Sequence, residues 1–420
     1  MVNTVNDIDP GRLRLEVREW LEEHWQGVDD REWRETVLHA GWAIPTFPAD
    51  AYGRGLSRPQ ATVVGAEFGA VGAPGSCREL GHDVVAGWIR MAAMAVARFG
   101  GARLRDSFIR DLVLGDAEHG VALYSEPNAG SDLAGLQTRA VLEGDQWVVN
   151  GQKVWSSGAE TATWGLLLAR TNEDVPKHQG ISFFVLPMQQ PGIEIRPIKQ
   201  ITGDSEFSEV FLTDAKVPAE NLVGDLNDGW RVLQVVLAAE REWLGDFLEA
   251  GGRPGGAVSS REDALTTEGA ADLIDAARAA GKATDSAVRQ VIAQLHTWRL
   301  VHQWTNARLS SASAGEESGG PVAAAAIGKL ASSRILHSTG RFKARMLGPE
   351  AMLYGPDNGA ADDVNREIMN AFVNSVGGGS DQIQRNIISE RLLGLPRGYA
   401  PDRGVPFREI RKGSARPSRT

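Results

Sequence analysis

A change of hydrophobic period along the chain restricts its possible folds more than any other feature. From about residue 10 to 118 apolar side chains recur at helical spacing, as in RLRLEVREWLEEHW, where Leu13, Val17, Trp20, Leu21 and Trp25 fall on one face. From Gly120 short runs rich in β-branched and aromatic residues follow one another: GVALYS, TRAVLE, QWVVN, KVWSSG, WGLLLAR, ISFFVLPM, IEIRPIK and EVFLTDAKV. After Gly224 helical spacing returns and persists almost to Leu395. The order helical, β, helical predicts an α+β chain: a helical domain over 1–118, an antiparallel β domain over 119–224 and a second helical region over 225–396.

Turn chemistry refines these boundaries. GWAIPTFPADAYGRGLS is rich in Gly and Pro and is expected to be irregular. In WVVNGQKVW the pair Asn150-Gly151 supplies the positive φ angles of a tight hairpin, so a turn is expected there. GGRPGGAVSSREDALTTEG and SAGEESGGP read as exposed connections. The Arg-rich stretch from Arg397 to Thr420 reads as a basic tail, solvated or docked on a partner.

Composition excludes several function classes. With 42% hydrophobic and 23% charged residues over 420 positions, the chain has the material for a large core. A net charge of -10 argues against a nucleic-acid surface. Cys77 is the sole cysteine, which rules out an intramolecular disulfide, and no Cys/His spacing resembles a zinc site. The start, MVNTVNDIDPGRLRLEV, has no apolar signal core, and VVAGWIRMAAMAVARFG is interrupted by Arg90 and Arg98. A soluble cytoplasmic protein without metal or membrane contact is therefore expected. No P-loop and no dinucleotide GxGxxG is present.

Three segments have the makings of a site. NSVGGGSDQIQRN sets three glycines and a serine before a polar helix start, which suits close approach of a ligand to the backbone. YSEPNAGSDLAG, Tyr124 to Gly135, lacks strand alternation and leaves backbone groups accessible; a plain connector is the alternative. In NGQKVWSSGAETATWG, Trp155 stands beside Ser156 and Ser157, an aromatic plate next to hydroxyls that suits a ring cofactor; a core tryptophan is the alternative.

Taken in order and spacing with FSEVFLTDAKVPAENLVG, GWRVLQVVLAAER and QIQRNIISERLLG, these segments resemble the acyl-CoA dehydrogenase family from about Gly41 to Leu395. The resemblance implies a helical domain, a middle β domain, a C-terminal helical bundle, tightly bound FAD, and a homo- or hetero-oligomer. By position it implies that Tyr124 and Ser125 face the flavin pyrimidine, that Trp155 packs on the ring with Ser157 near N5, and that Ser131 lies close to the pantetheine or cofactor. Gly379, Ser380 and Gln382 match cofactor-contacting positions.

The reaction implied takes a proton from Cα of an acyl-CoA thioester while Cβ loses a hydride to flavin, and it needs a base in a dry site. Many members place a Glu immediately before the Gly-Thr that corresponds to Gly379-Ser380. Here that position is Gly378. In GWRVLQVVLAAERE an apolar helix runs into Glu240-Arg241, similar to the arrangement of isovaleryl-CoA and long-chain acyl-CoA dehydrogenases. Glu240 is thus the candidate base, Arg241 a candidate substrate contact, and the Gly378 N–H a donor to the thioester oxygen. An ordinary surface pairing of Glu240 is the competing reading, and Glu242 and Glu390 are weaker rivals, Glu390 being read as an ion-pair residue.

Two departures from the family pattern stand out. The inter-subunit Arg-x-x-Phe-Gly segment is absent, Arg289 reading as an ordinary helix-face residue, and Pro349-Glu350-Ala351 occupies a usually glycine-rich turn. The function expected is acyl-CoA dehydrogenation with electron transfer flavoprotein as oxidant. A flavin oxidase or monooxygenase of the same fold, or a non-catalytic acyl-CoA-binding subunit, are the alternatives.

Overall fold

The computed structural model describes residues 8–75, 84–116, 119–237, 270–312 and 320–410. Glu240, Arg241 and Glu242 therefore lie outside the described residues, as do the connections at 251–269 and 313–319.

The N-terminal third is helical because its apolar stripes are bracketed by strong start signals. α1 (Pro10–His24) has Pro at its first turn and Asp9 as cap, whose carboxylate accepts the Arg12 N–H at 3.0 Å; the helix buries Leu13, Val17 and Leu21. α2 (Arg31–His39) is capped by Asp30, and α3 (Arg58–Ala70) opens on a Ser57/Gln60 capping box. α4 (Val84–Phe99) and α5 (Ala102–Leu114) complete the set. Trp33, Val37, Trp42, Phe68, Val96 and Phe108 are buried, with the Trp25 and Trp33 rings 4.7 Å apart. No helix among the described residues is long and apolar enough to cross a membrane.

The middle of the chain forms one eight-stranded sheet: β1 (Gly120–Leu123), β2 (Arg139–Glu143), β3 (Gln146–Ser157), β4 (Trp164–Arg170), β5 (Ile181–Pro187), β6 (Ile193–Ile198), β7 (Phe207–Pro218) and β8 (Leu222–Val223). The spatial order is β6-β7-β3-β2-β4-β5-β8, with β1 also on β4. Most pairs are antiparallel as expected, but β1 runs parallel to β4, and Arg139 meets Arg170 in a parallel bridge, so the sheet is mixed. In β4 all seven residues of WGLLLAR are buried, as in a strand covered on both faces. Val121, Leu123, Trp147, Val149, Leu167, Phe184, Val210 and Val217 form the core of this layer.

The turn expected at Asn150-Gly151 is not there. QWVVN and KVWSSG are one continuous strand, β3, and the chain reverses instead at Gly144-Asp145 between the paired Glu143 and Gln146, with Gly144 at φ 65°. Asn150 serves the sheet: its amide donates to Asp214 Oδ1 and accepts the Asp214 N–H, both at 2.9 Å. Gly151 sits at a register shift where a Cβ would lie 2.4 Å from Thr138 Oγ1. Gly151→Ala is accordingly expected to cost about 1–3 kcal/mol by overpacking, read as a lower urea midpoint with an unchanged slope.

The chain divides into two compact units. One comprises residues up to Val236 together with the segment from Ala400, and the other runs from Leu237 to Tyr399. α6 (229–237) buries Val232, Leu233 and Val236. The second unit contains α7 (Ala271–Ala279), α8 (Ser286–Ala312), α9 (Gly320–Leu347), α10 (Gly359–Val376) and α11 (Asp381–Ile387), followed by a π-helical turn over Ile388–Leu392. Leu273, Ala277, Leu295 and Phe342 are its buried cluster. Arg289 is exposed on α8, and Pro349-Glu350-Ala351 lies in a 3₁₀ turn, Gly348–Met352.

The C-terminal stretch, expected to be solvated or docked on a partner, packs against its own chain over 400–410. Phe407 is 2% exposed, its N–H donates to Val175 O at 3.0 Å, and the Arg170 guanidinium lies 3.4 Å above its ring. Arg408 N–H reaches Glu173 O at 3.0 Å, and Lys177 pairs with Asp402 at 2.5 Å. Phe407→Ala should destabilise the first unit by about 3–5 kcal/mol, measurable by chemical denaturation.

Candidate active site

In the first unit the segment after β1 is held from below by a buried ion pair that sequence reading missed. Lys153 on β3 is 0% exposed, and its ammonium donates to Glu126 Oε1 at 2.9 Å and Tyr124 O at 3.1 Å. Glu126 also accepts the N–H groups of Gln137 at 2.7 Å and Thr138 at 2.8 Å. Burial alone would raise the Glu126 pKa, but the Lys153 charge and these donors outweigh it and hold the carboxyl below its ordinary range. Burial lowers the pKa of Lys153, partly offset by Glu126. The signal available in the sequence was a Glu inside the small-residue loop and a Lys inside an apolar strand, two charges that a buried position obliges to pair.

This pair fixes the direction of Tyr124 and Ser125. Val154 N–H donates to Ser125 O at 3.0 Å, which brings Ser125 beside the end of β3 where Trp155 and Ser157 stand. Trp155 has φ 63°, unusual for a bulky residue, at a second register shift between Lys153 and Ser156. The extra residue turns the indole outward, leaving it 59% exposed and edge-on to Phe207 at 5.9 Å. Positive φ at a bulky residue is strained backbone, of the kind that clusters at active sites and ligand clamps. Ser157 is half-buried opposite Phe207, and the Ser156 hydroxyl between them is buried with no hydrogen-bond partner among the described residues.

Ser131 is exposed on the loop that leads to β2. That loop is secured by Arg170, whose guanidinium donates to Ala134 O at 2.7 Å, Leu136 O at 3.2 Å and Lys177 O at 3.0 Å. Burial brings the Arg170 pKa down to about 10, still high enough to keep it charged at neutral pH.

In the second unit the glycine segment joins α10 to α11. Gly378 and Gly379 have φ of 59° and 88°, the left-handed region that favours glycine. Ser380 caps α11, and Gln382 is exposed on its first turn. Glu390 is half-buried, 3.7 Å from Arg397, in accord with an ion-pair role. Helices α8, α9 and α11 line an open cavity of about 750 Å³, among whose lining residues are His302, Ser333, His337, Asp381 and Arg385.

Within each unit the residues present fit a flavin. In the first unit an outward indole, neighbouring hydroxyls and a buried Ser156 hydroxyl with no partner among the described residues match a planar ring with a hydrogen-bonding edge, and in the second a glycine backbone at positive φ admits close approach of a ligand. Residues 122–215 match the acyl-CoA dehydrogenase middle domain and 227–393 the acyl-CoA dehydrogenase C-terminal domain. Acyl-CoA dehydrogenase IpdE1 of Mycobacterium tuberculosis is 33% identical over 93% of this chain and 98% of its own length. The chain belongs to the acyl-CoA dehydrogenase family. Membership makes it an FAD-dependent oxidoreductase acting on CH–CH bonds.

Among more distant relatives in this family, cyclohexane-1-carbonyl-CoA dehydrogenase of Syntrophus aciditrophicus is 35% identical over 37% of this chain and 42% of its own. The ChsE4-ChsE5 complex of Mycobacterium tuberculosis shares the fold at TM-score 0.59 and 26% identity, covering 93% of this chain and 98% of that one. A Tcur3481-Tcur3483 steroid ACAD has TM-score 0.67 at 24% identity, with 93% and 98% covered.

Proposed function

We propose that the protein oxidises an acyl-CoA thioester to the 2,3-enoyl-CoA, with Glu240 as the base. FAD, when bound, supplies the hydride acceptor for the Cβ–H bond. Tyr124, Ser125, Trp155 and Ser157 hold the ring, with Gly379, Ser380 and Gln382 contacting the cofactor and Ser131 the cofactor or the pantetheine arm. Glu240 takes the Cα proton, Arg241 assists on the substrate side, and the Gly378 N–H donates to the thioester oxygen as negative charge develops there.

Support comes above all from likeness to IpdE1 over nearly the full length of both chains, together with an apolar helix, buried at Val232, Leu233 and Val236, that precedes Glu240 in the sequence. Glycine at 378 leaves space where many relatives carry a Glu side chain, which favours bulky, branched or ring-bearing acyl groups. The name of the cyclohexane-1-carbonyl-CoA relative points the same way. Electron transfer flavoprotein is the implied oxidant, and the chain works in a homo- or hetero-oligomer, the name of the ChsE4-ChsE5 complex favouring the second.

The test is a visible spectrum of the purified protein followed by anaerobic addition of straight, branched and alicyclic acyl-CoAs. Bleaching by a branched or ring-bearing acyl-CoA is the expected result. Peroxide in air would favour an oxidase, and a colourless protein that no flavin restores would overturn the proposal.

A further inference from the structure

Lys329, Ser333 and His337 are spaced by four along α9 and therefore form one polar line on that helix. Every member of that line reaches the glycine segment or its immediate flanks. Lys329 is 7% exposed, and its ammonium donates to Asn374 O, in the last turn of α10, at 2.8 Å and to Gly379 O at 2.5 Å. One turn on, Ser333 donates to Asp381 Oδ2 at 2.8 Å and lies 2.7 Å from Ser375 Oγ, so it joins the two ends of the segment. A further turn on, His337 Nε2 is 2.6 Å from the same Ser375 hydroxyl. From α11, Gln384 is 0% exposed and donates to Gly378 O at 3.1 Å and Gly379 O at 3.0 Å.

The consequence follows from peptide geometry. No cis bond is present among the described residues, and in a trans peptide the carbonyl and the following N–H point in opposite directions. With the Gly378 and Gly379 carbonyls drawn inward by Lys329 and Gln384, the N–H groups of Gly379 and Ser380 are turned outward. Neither has an acceptor among the described residues. We propose that Lys329 is a positioning residue, which with Ser333 and Gln384 aims these two amides at the ligand the segment serves. The inference rests on the acyl-CoA dehydrogenase reading for the identity of that ligand, the flavin and its thioester partner, but not for the clamp itself.

The experiment compares wild type with Lys329→Met, Lys329→Arg and Ser333→Ala in the protein as purified. One readout is hydrogen exchange at Gly377 and Gln384, whose amides are bonded to Val373 O and Ser380 O. Lys329→Met should speed exchange there by about tenfold or more, with Leu295 and Phe342 in the core unchanged, and Arg should restore most of the protection. The second readout is flavin release, expected to quicken in Met and recover in Arg. Exchange within about twofold of wild type in a folded Lys329→Met protein would overturn the proposal. Should that variant not fold, unchanged exchange in Ser333→Ala would overturn the proposal, and faster exchange there would support it. If no acyl-CoA bleaches the wild type, the functional proposal falls while the exchange comparison still decides the role of Lys329.

Discussion

Glu240→Gln should leave the protein yellow while slowing anaerobic bleaching by a competent acyl-CoA about 10²–10⁴-fold, the usual loss when a positioned general base is removed. Gln keeps the size of the side chain and removes only its capacity to take a proton, so flavin content should be unchanged. Gly378 has no side chain to substitute, and Glu390 is committed to Arg397. Glu390→Gln is therefore the control, with bleaching expected to stay within about twofold of wild type. Stopped-flow absorbance of the flavin band reads both. Wild-type bleaching in the Glu240 variant would remove it from the mechanism, and a large loss in the Glu390 variant would transfer the role.

The largest effect on stability is expected at the buried Lys153 and Glu126 pair. Removing one partner leaves the other charged and unpaired away from water, a change that costs about 3–5 kcal/mol. Lys153→Met should show this loss in full. Glu126→Gln should lose less, since the amide oxygen can still accept from Gln137 or Thr138. The double variant should recover part of the deficit, because neither charge is then stranded. Acid titration adds a sign. A carboxyl whose pKa is depressed on folding contributes stability that is complete above its unfolded value, near the ordinary 4.5, and vanishes as pH falls through the lower folded value. Glu126→Gln should remove that component, so the gap between wild type and variant should narrow as pH drops below about 4.5. A gap that stays constant into strong acid would mean that the pair is not formed as described.

What the sequence made legible were the features that depend on local period. Helices with Asp9, Asp30 or Ser57 at their starts and a β region of apolar runs follow from spacing and capping alone. The Asn150-Gly151 turn failed because dipeptide preference is local, whereas the need for glycine at 151 comes from Thr138 on a neighbouring stretch of chain. The parallel β1 strand was hidden for a similar reason: burial of β4 on both faces is a property of the assembled layers. Trp155, Ser125 and the glycine segment were visible as candidates, but their supports were not. Lys153 reaches Glu126 across 27 positions and Lys329 reaches Gly379 across 50, separations at which no periodicity speaks. A polar residue every fourth position in AIGKLASSRILHS was the available clue to the second of these.

The return of residues 400–410 to the first unit makes the second an insertion anchored at both ends. A single proteolytic nick near either junction would therefore leave it tethered through the other. Because Arg170 supports both the Phe407 ring and the carbonyls of Ala134 and Leu136, shortening the chain past Phe407 would disturb the loop that carries Ser131 rather than merely trim a dispensable extension.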